Sequence, residues 1–220
     1  MKLLQSIVCF ALLLSIAFGF PISNDVRYMN FGSPITTRIP NKLSFKIEPY
    51  NLTQVSSKFD LNQVVNIAEN AWNFIQANQP TLDVQTNYAN AIPSGFTDWT
   101  QLENWKDPMS QCFQVDYKNG FGMNVVGFSY CVVYTPGGDY QGKGLYLDHI
   151  QIIPSDIQVS WGYKLDAVTS VPSVSNSGSS DNPVASAEVH MKFSVSTALK
   201  KDSQEHAYYM KGDGSFMSLN

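Results

Sequence analysis

Chemistry in this chain would have to come from a short set of side chains. Asp148-His149 is its one adjacent acid–imidazole pair, the combination that lets a carboxylate orient a general base. Neighbours along a strand point to opposite faces, which predicts that these two do not act on each other. Asp98 and Glu103 are near enough in sequence to suggest the carboxylate pair of a glycosidase, but solvated surface positions are the expectation for both. Gly142-Lys143-Gly144 lacks the remainder of a phosphate loop and reads as a turn. There is no Gly-x-Ser-x-Gly elbow. No set of Cys and His stands at zinc-ligand spacing. No catalytic residue, cofactor or metal is therefore expected, and the chain leans away from being an enzyme.

Four aromatic residues are candidate ligand-stacking positions: Trp99, Trp105, Trp161 and Tyr163. In Trp161-Gly162-Tyr163 the glycine would let a sugar or base approach closely. The same triplet serves core packing, and that is the expected use. Trp99 and Trp105 lie in a turn-rich stretch and are better placed for an open aromatic platform, although burial against a sheet is the expectation there too.

These residues need elements to position them. Met1-Lys2 precedes an apolar run from Leu3 to Phe20, with small residues at Ala17 and Gly19, the pattern of a secretory leader cleaved after Gly19. The expected organisation is a leader over 1–19 and one secreted domain over 20–220. Cys9 leaves with the leader, and Cys112 with Cys131 is an even pair in an oxidising compartment, so a disulfide follows. If Lys118 to Met123 turns symmetrically, facing residues sum to 243 and the two cysteines lie directly opposite on adjacent strands. Asn51-Leu52-Thr53 is a glycosylation sequon at Asn51.

Leu43, Phe45 and Ile47 alternate as a strand, and Leu82, Val84 and Thr86 as another. Asp60 stands as a cap before Leu61, Val64, Val65, Ala68, Ala71, Trp72 and Ile75, which share one helical face. Phe96, Trp99, Leu102 and Trp105 suggest a helical turn or two. From Gln111 the period changes to two: through Tyr117, then Val126 to Tyr134, Leu145 to Ile153, Ile157 to Tyr163, Val184 to Leu199 and Ala207 to Met210. Ser-rich Val171 to Pro183 reads as a long connection. The predicted fold is mainly β, an antiparallel sandwich-like sheet with one packed α-helix.

The 220 residues suffice for a substantial core, and 14 Lys+Arg against 18 Asp+Glu exclude a basic nucleic-acid-binding face. Several blocks carry a likeness: Ala71-Trp72-Asn73-Phe74-Ile75, Thr86-Asn87-Tyr88-Ala89-Asn90-Ala91, Tyr134 through Tyr140, Gly142-Lys143-Gly144, Trp161-Gly162-Tyr163, Asn182-Pro183-Val184-Ala185 and Tyr208 through Gly214. In that order, behind a leader, the chain resembles a family of small secreted proteins of social amoebae catalogued as domain of unknown function 3430. Some members are associated with bacteriolytic activity. The resemblance implies an antibacterial effector acting on bacterial envelopes, extracellular or phagosomal, without assigning a mechanism. A secreted glycan-binding module is the alternative, and a cell-wall hydrolase ranks third. The expected partner is a bacterial surface or glycan, with no nucleic acid and no stable membrane anchor, and the chain is expected to be a monomer.

Without Lys2 the mature side chains balance at 13 basic against 18 acidic groups. Accessible His149, His190 and His206 would become positive in acid, and a fraction of the carboxylates would be neutralised below about pH 5. Adsorption to anionic bacteria is accordingly expected to rise below about pH 5.5 and to weaken with salt. Binding to whole bacteria from pH 4 to 7 at two ionic strengths checks this, and equal binding throughout would refute it.

Overall fold

The computed structural model describes residues 25–41, 59–81 and 87–219. The period-two segments form two three-stranded meanders. The first is β6 (Met109–Lys118), β7 (Asn124–Tyr140) and β8 (Lys143–Val159); the second is β9 (Lys164–Asn176), β10 (Ala185–Ser196) and β11 (Lys201–Lys211). Beside the first lie β1 (Ile35–Ile39) on one edge and β5 (Ala89–Ser94) then β2 (Asp60–Val65) on the other, giving the order β1-β6-β7-β8-β5-β2. The second sheet runs β12-β11-β10-β9-β3-β4, with β3 (Ala71–Gln76), β4 (Gln79–Pro80) and β12 (Phe216–Ser218). Neighbours within both sheets are antiparallel.

The sheets pack face to face, as alternating apolar faces require. Phe128 of β7 meets Phe193 of β10 edge-on at 5.1 Å, and Phe74 of β3 meets Tyr130 at 6.4 Å. Val189, Met191, Phe193 and Val195 point inward along β10 and are buried, each such side chain contributing about 1.5–3 kcal/mol. A single helical turn, α1 (Val26–Met29), is capped by the Asp25 side chain, which accepts from the Arg27 amide at 2.9 Å. Among the described residues no helix is long and apolar enough to cross a membrane.

The packed helix expected after Asp60 is absent. Its residues form β2 and β3, joined by a link in which Asn66 bonds the Glu69 carbonyl and the Asn70 side chain. Asn66 also accepts from the Asn90 amide, while Asn90 accepts from the Ile67 amide. Trp72 and Phe74 also obey strand alternation, with Asn73 outward between them. Pairing with β9 and β5 satisfies their backbone groups, so tertiary context overrides a helical spacing. The Ser-rich stretch is likewise strand to Asn176, because its serines alternate with Val171 and Val174. Pro154 does not turn the chain; β8 passes it with a register shift. The leader, Asn51, and the expected strands at Leu43–Ile47 and Leu82–Thr86 lie outside the described residues.

Cys112 and Cys131 are opposite one another in the β6–β7 register and form a buried disulfide, with Cα atoms 4.0 Å apart. With Val133, Ile39 and Ile153 they make a small apolar cluster separate from the main core. Replacing both cysteines by serine is expected to cost about 3 kcal/mol, following the loop-closure entropy of the unfolded chain. In calorimetry that is a drop of roughly 6–12 °C in Tm; an unchanged Tm would show that the hairpin is held without the cross-link.

Candidate functional site

The apolar-in pattern fails on one strand. Asp202, Gln204 and His206 of β11 stand opposite Val195, Phe193 and Met191 of β10 and therefore point between the sheets. Phenols of the first sheet meet them. Tyr117 donates to Asp202 Oδ2 at 3.0 Å, and Gln204 Nε2 donates to the same oxygen at 2.9 Å. The Tyr130 hydroxyl lies 2.8 Å from His206 Nδ1 and 2.5 Å from the Tyr208 hydroxyl. His206 Nε2 faces Thr36 Oγ1 of β1 at 3.5 Å.

This polar seam opens at the edge of the sandwich into a cleft of about 400 Å³ lined by Thr36, Arg38, Phe113, Gln204, Glu205, His206, Tyr208 and Ser218. Arg38, on the edge strand β1, bonds the Gln111 side chain. Burial holds the His206 imidazole below its ordinary value and raises the Tyr130 and Tyr208 phenols, so the ring is neutral and the hydroxyls protonated at pH 7. A guanidinium, a neutral imidazole, hydroxyls and an amide converge beside two aromatic rings. That array suits a hydroxyl-rich ligand, with Arg38 available to a negative group.

The tryptophans lie elsewhere. Asp98 caps a 3-10 turn (Trp99–Gln101) by accepting from the Thr100 amide at 2.7 Å, and the Gln101 side chain returns a bond to the Asp98 amide. Glu103 is exposed and pairs through its backbone with Asp139. The two carboxylates therefore serve as a cap and a surface group. Trp99 and Trp105 are half-buried and meet edge-on at 6.3 Å. Trp105 covers the backbone of β7 so closely that a Cβ at Gly138 would lie 2.4 Å from its ring.

Asp148 and His149 overturn the expectation of opposite faces. The β7–β8 register shifts after Val133, and His149 takes φ +49°, a conformation rare in a strand. This brings His149 Nδ1 to 2.5 Å from Asp148 Oδ2. The imidazole stacks on Tyr88 at 4.8 Å and meets the edge of Trp99 at 5.5 Å. The contact is an ion-pair approach without hydrogen-bond alignment: among the described residues neither Asp148 oxygen, nor Thr135 Oγ1, nor Trp99 Nε1 has a hydrogen-bond partner. Burial raises the Asp148 carboxyl against the opposing pull of His149. At 1% exposure Asp148 is sealed from any substrate, so the pair is a strained buried corner.

Trp161 reverses its expected burial. It stands 69% exposed in the β8–β9 turn, while Tyr163 is core and donates to the Tyr28 carbonyl. Trp161 is thus the one aromatic of the four with an open face, 2.9 Å from the Tyr28 hydroxyl through its carbonyl oxygen. Arg38, His206 and Tyr208 escaped the sequence reading; the signal was a polar alternation on β11, visible only once its register with β10 is known. No group of three or more His, Cys, Asp or Glu among the described residues is arranged to hold a metal ion. No family model, curated protein or solved structure matches this chain.

The three histidines do not respond alike. Burial lowers His190, but hydrogen bonds to Glu188 and Glu205, both 2.6 Å away, outweigh it and raise the group overall. Its contribution to stability is full below about pH 6.5 and lost as pH rises through the folded value; His206, lowered by burial, instead costs stability as pH falls below about 6.5. Proton NMR should place the His190 midpoint above that of the free side chain and His206 below it, and the reverse order would contradict the geometry. Because burial raises the Asp148 carboxyl, the stability of Asp148→Asn relative to the parent is expected to be greater at pH 7 than at pH 3.5. Thermal melts at the two pH values measure the difference.

Proposed function

We propose that this chain is a secreted antibacterial protein that attaches to bacterial envelopes by binding a saccharide in the cleft between β1 and β11. The observation that carries this reading is the convergence of Arg38, Gln204, His206 and the rings of Phe113 and Tyr208 on one open cavity. Sugars offer hydroxyl groups to such donors and acceptors, and the largely buried Phe113 and Tyr208 rings give the cavity an apolar wall. Arg38 adds a preference for glycans bearing carboxylate or phosphate, which bacterial envelopes carry. The likeness to secreted amoebal proteins supports bacteria as the target, and the buried disulfide fits an extracellular or phagosomal setting. Hydrolysis is disfavoured because Asp98 is engaged as a cap and Asp148 is sealed.

Binding to isolated peptidoglycan and to washed bacteria tests the reading. Arg38→Ala changes an exposed edge residue and should weaken binding about tenfold, equivalent to 1.4 kcal/mol, with an unaltered melting curve. Trp161→Ala, remote from the cleft, should bind like the parent. Full binding by Arg38→Ala, or loss confined to Trp161→Ala, would move the site to the exposed tryptophan.

A further inference from the structure

We propose that the β9–β10 hairpin is a membrane-inserting element, which leaves the sandwich at a lipid bilayer and joins hairpins of other copies in a closed β-barrel. Its inward face is uncharged and, apart from Thr169, apolar: Leu165, Ala167, Thr169, Val171 and Val174 on β9, with a register shift between Val171 and Val174, then Ala185, Ala187, Val189, Met191, Phe193 and Val195 on β10. Its outward face is mostly polar, with Ser170, Ser173, Ser175, Ser186, Ser194 and Ser196 beside Asp166, Glu188, His190, Lys192 and one apolar residue, Val168. The apolar stretch runs ten residues on one strand and eleven on the other, where a tilted membrane-spanning strand needs about 9–11. One apolar face toward lipid and one polar face toward a water-filled lumen is the pattern of barrel strands. The connecting loop from Ser177 to Asn182 is exposed and carries a single charge, Asp181, so little charge must cross.

The other hairpins of the two meanders lack this combination. β10–β11 would bring Asp202, Gln204 and His206 onto the lipid side. β6–β7 is tied to β11 through Tyr117 with Asp202 and Tyr130 with His206, and its outward side buries Cys112, Cys131 and Val133. β7–β8 buries Asp148 and His149 within β8, carries Asp156 and Gln158 beyond Pro154, and shifts register at four places. Release of β9–β10 also asks least of the fold on its β3 flank, where four register pairs are interrupted by a shift after Asn73. On the β11 flank an unbroken ladder of eleven register pairs has to open, together with the side-chain ties of His190 and Lys192 to Glu205. Moving the hairpin from the core to a bilayer exchanges one apolar environment for another. A lone hairpin would leave both edges unpaired in lipid, so several copies must close the ring.

The activity is separable from glycan attachment, because vesicles without glycan suffice to read it. Mature protein is added to dye-loaded vesicles of phosphatidylethanolamine and phosphatidylglycerol. Ser194 and Ser203 face each other across β10 and β11 on the outward side, so Ser194→Cys with Ser203→Cys locks the hairpin to the sandwich when oxidised. Ser175 and Ser186, whose hydroxyls are 2.9 Å apart, allow the matching lock inside the hairpin, Ser175→Cys with Ser186→Cys. The expected result is dye release by the parent, at least a tenfold loss with the first lock, recovery with mild reductant, and full release with the second. No release by the parent, release undiminished by the first lock, or equal loss with both would overturn the proposal. The first lock, whose residues lie outside the cleft, should bind peptidoglycan like the parent, so failure of the cleft reading and failure of this one are read independently.

Discussion

The structure depends on β7 being buried on both faces. From Val125 to Gly138 every residue of this strand is buried, a demand that no two-layer sandwich meets with its facing sheet alone. The inner face is met by β10 and β3 of the second sheet, through Phe193 and Phe74. The outer face is covered at one end by the disulfide cluster with Ile39 and Ile153, and at the other by Trp105 lying over Gly138. The disulfide, the glycine and the 3-10 turn are thus three local answers to one requirement.

Covering both faces confines polar groups to places where they can be paired or have to be tolerated. Along β11 they are paired: Tyr117 with Asp202, and Tyr130 with His206 and Tyr208, bond across the sandwich where the sheets begin to part. At the β7–β8 irregularity the groups are tolerated, since Asp148 and Thr135 are buried without hydrogen-bond partners and His149 is held at positive φ. Buried unpaired polar groups cost about 1–3 kcal/mol each, and the aromatic packing of Tyr88 and Trp99 around His149 is what offsets this cost. The sandwich therefore leaves its unpaired buried groups at the β7–β8 irregularity and its paired ones along β11.

The two sheets also differ in what they could give up. The first is tied by the disulfide, the double-sided core and the capped turn. The second has a middle hairpin whose inner face is uncharged and, apart from Thr169, apolar. Attachment through the cleft and insertion through the hairpin would use opposite properties of the same sandwich, a fixed polar edge and an apolar strand pair of uniform character.

Much of this was legible in the residues themselves. The period of two after Gln111, the turn at Asn119-Gly120 and the facing of Cys112 with Cys131 follow from local spacing, because a hairpin brings near neighbours together with a register set by its own turn. The stretch from Leu61 to Ile75 was not decidable in that way. Its apolar residues fit both a helical face and two short strands, and only the open backbone edges of β5 and β9 selected strands. The candidate site was less legible still. Trp99 and Trp105 stood out by type yet serve packing, whereas Arg38 and His206 have unremarkable neighbours and are 168 positions apart. Spacing along a chain determines which residues share a face; which face becomes interior, edge or cleft depends on what the rest of the chain lays against it, and that is a property of the tertiary structure alone.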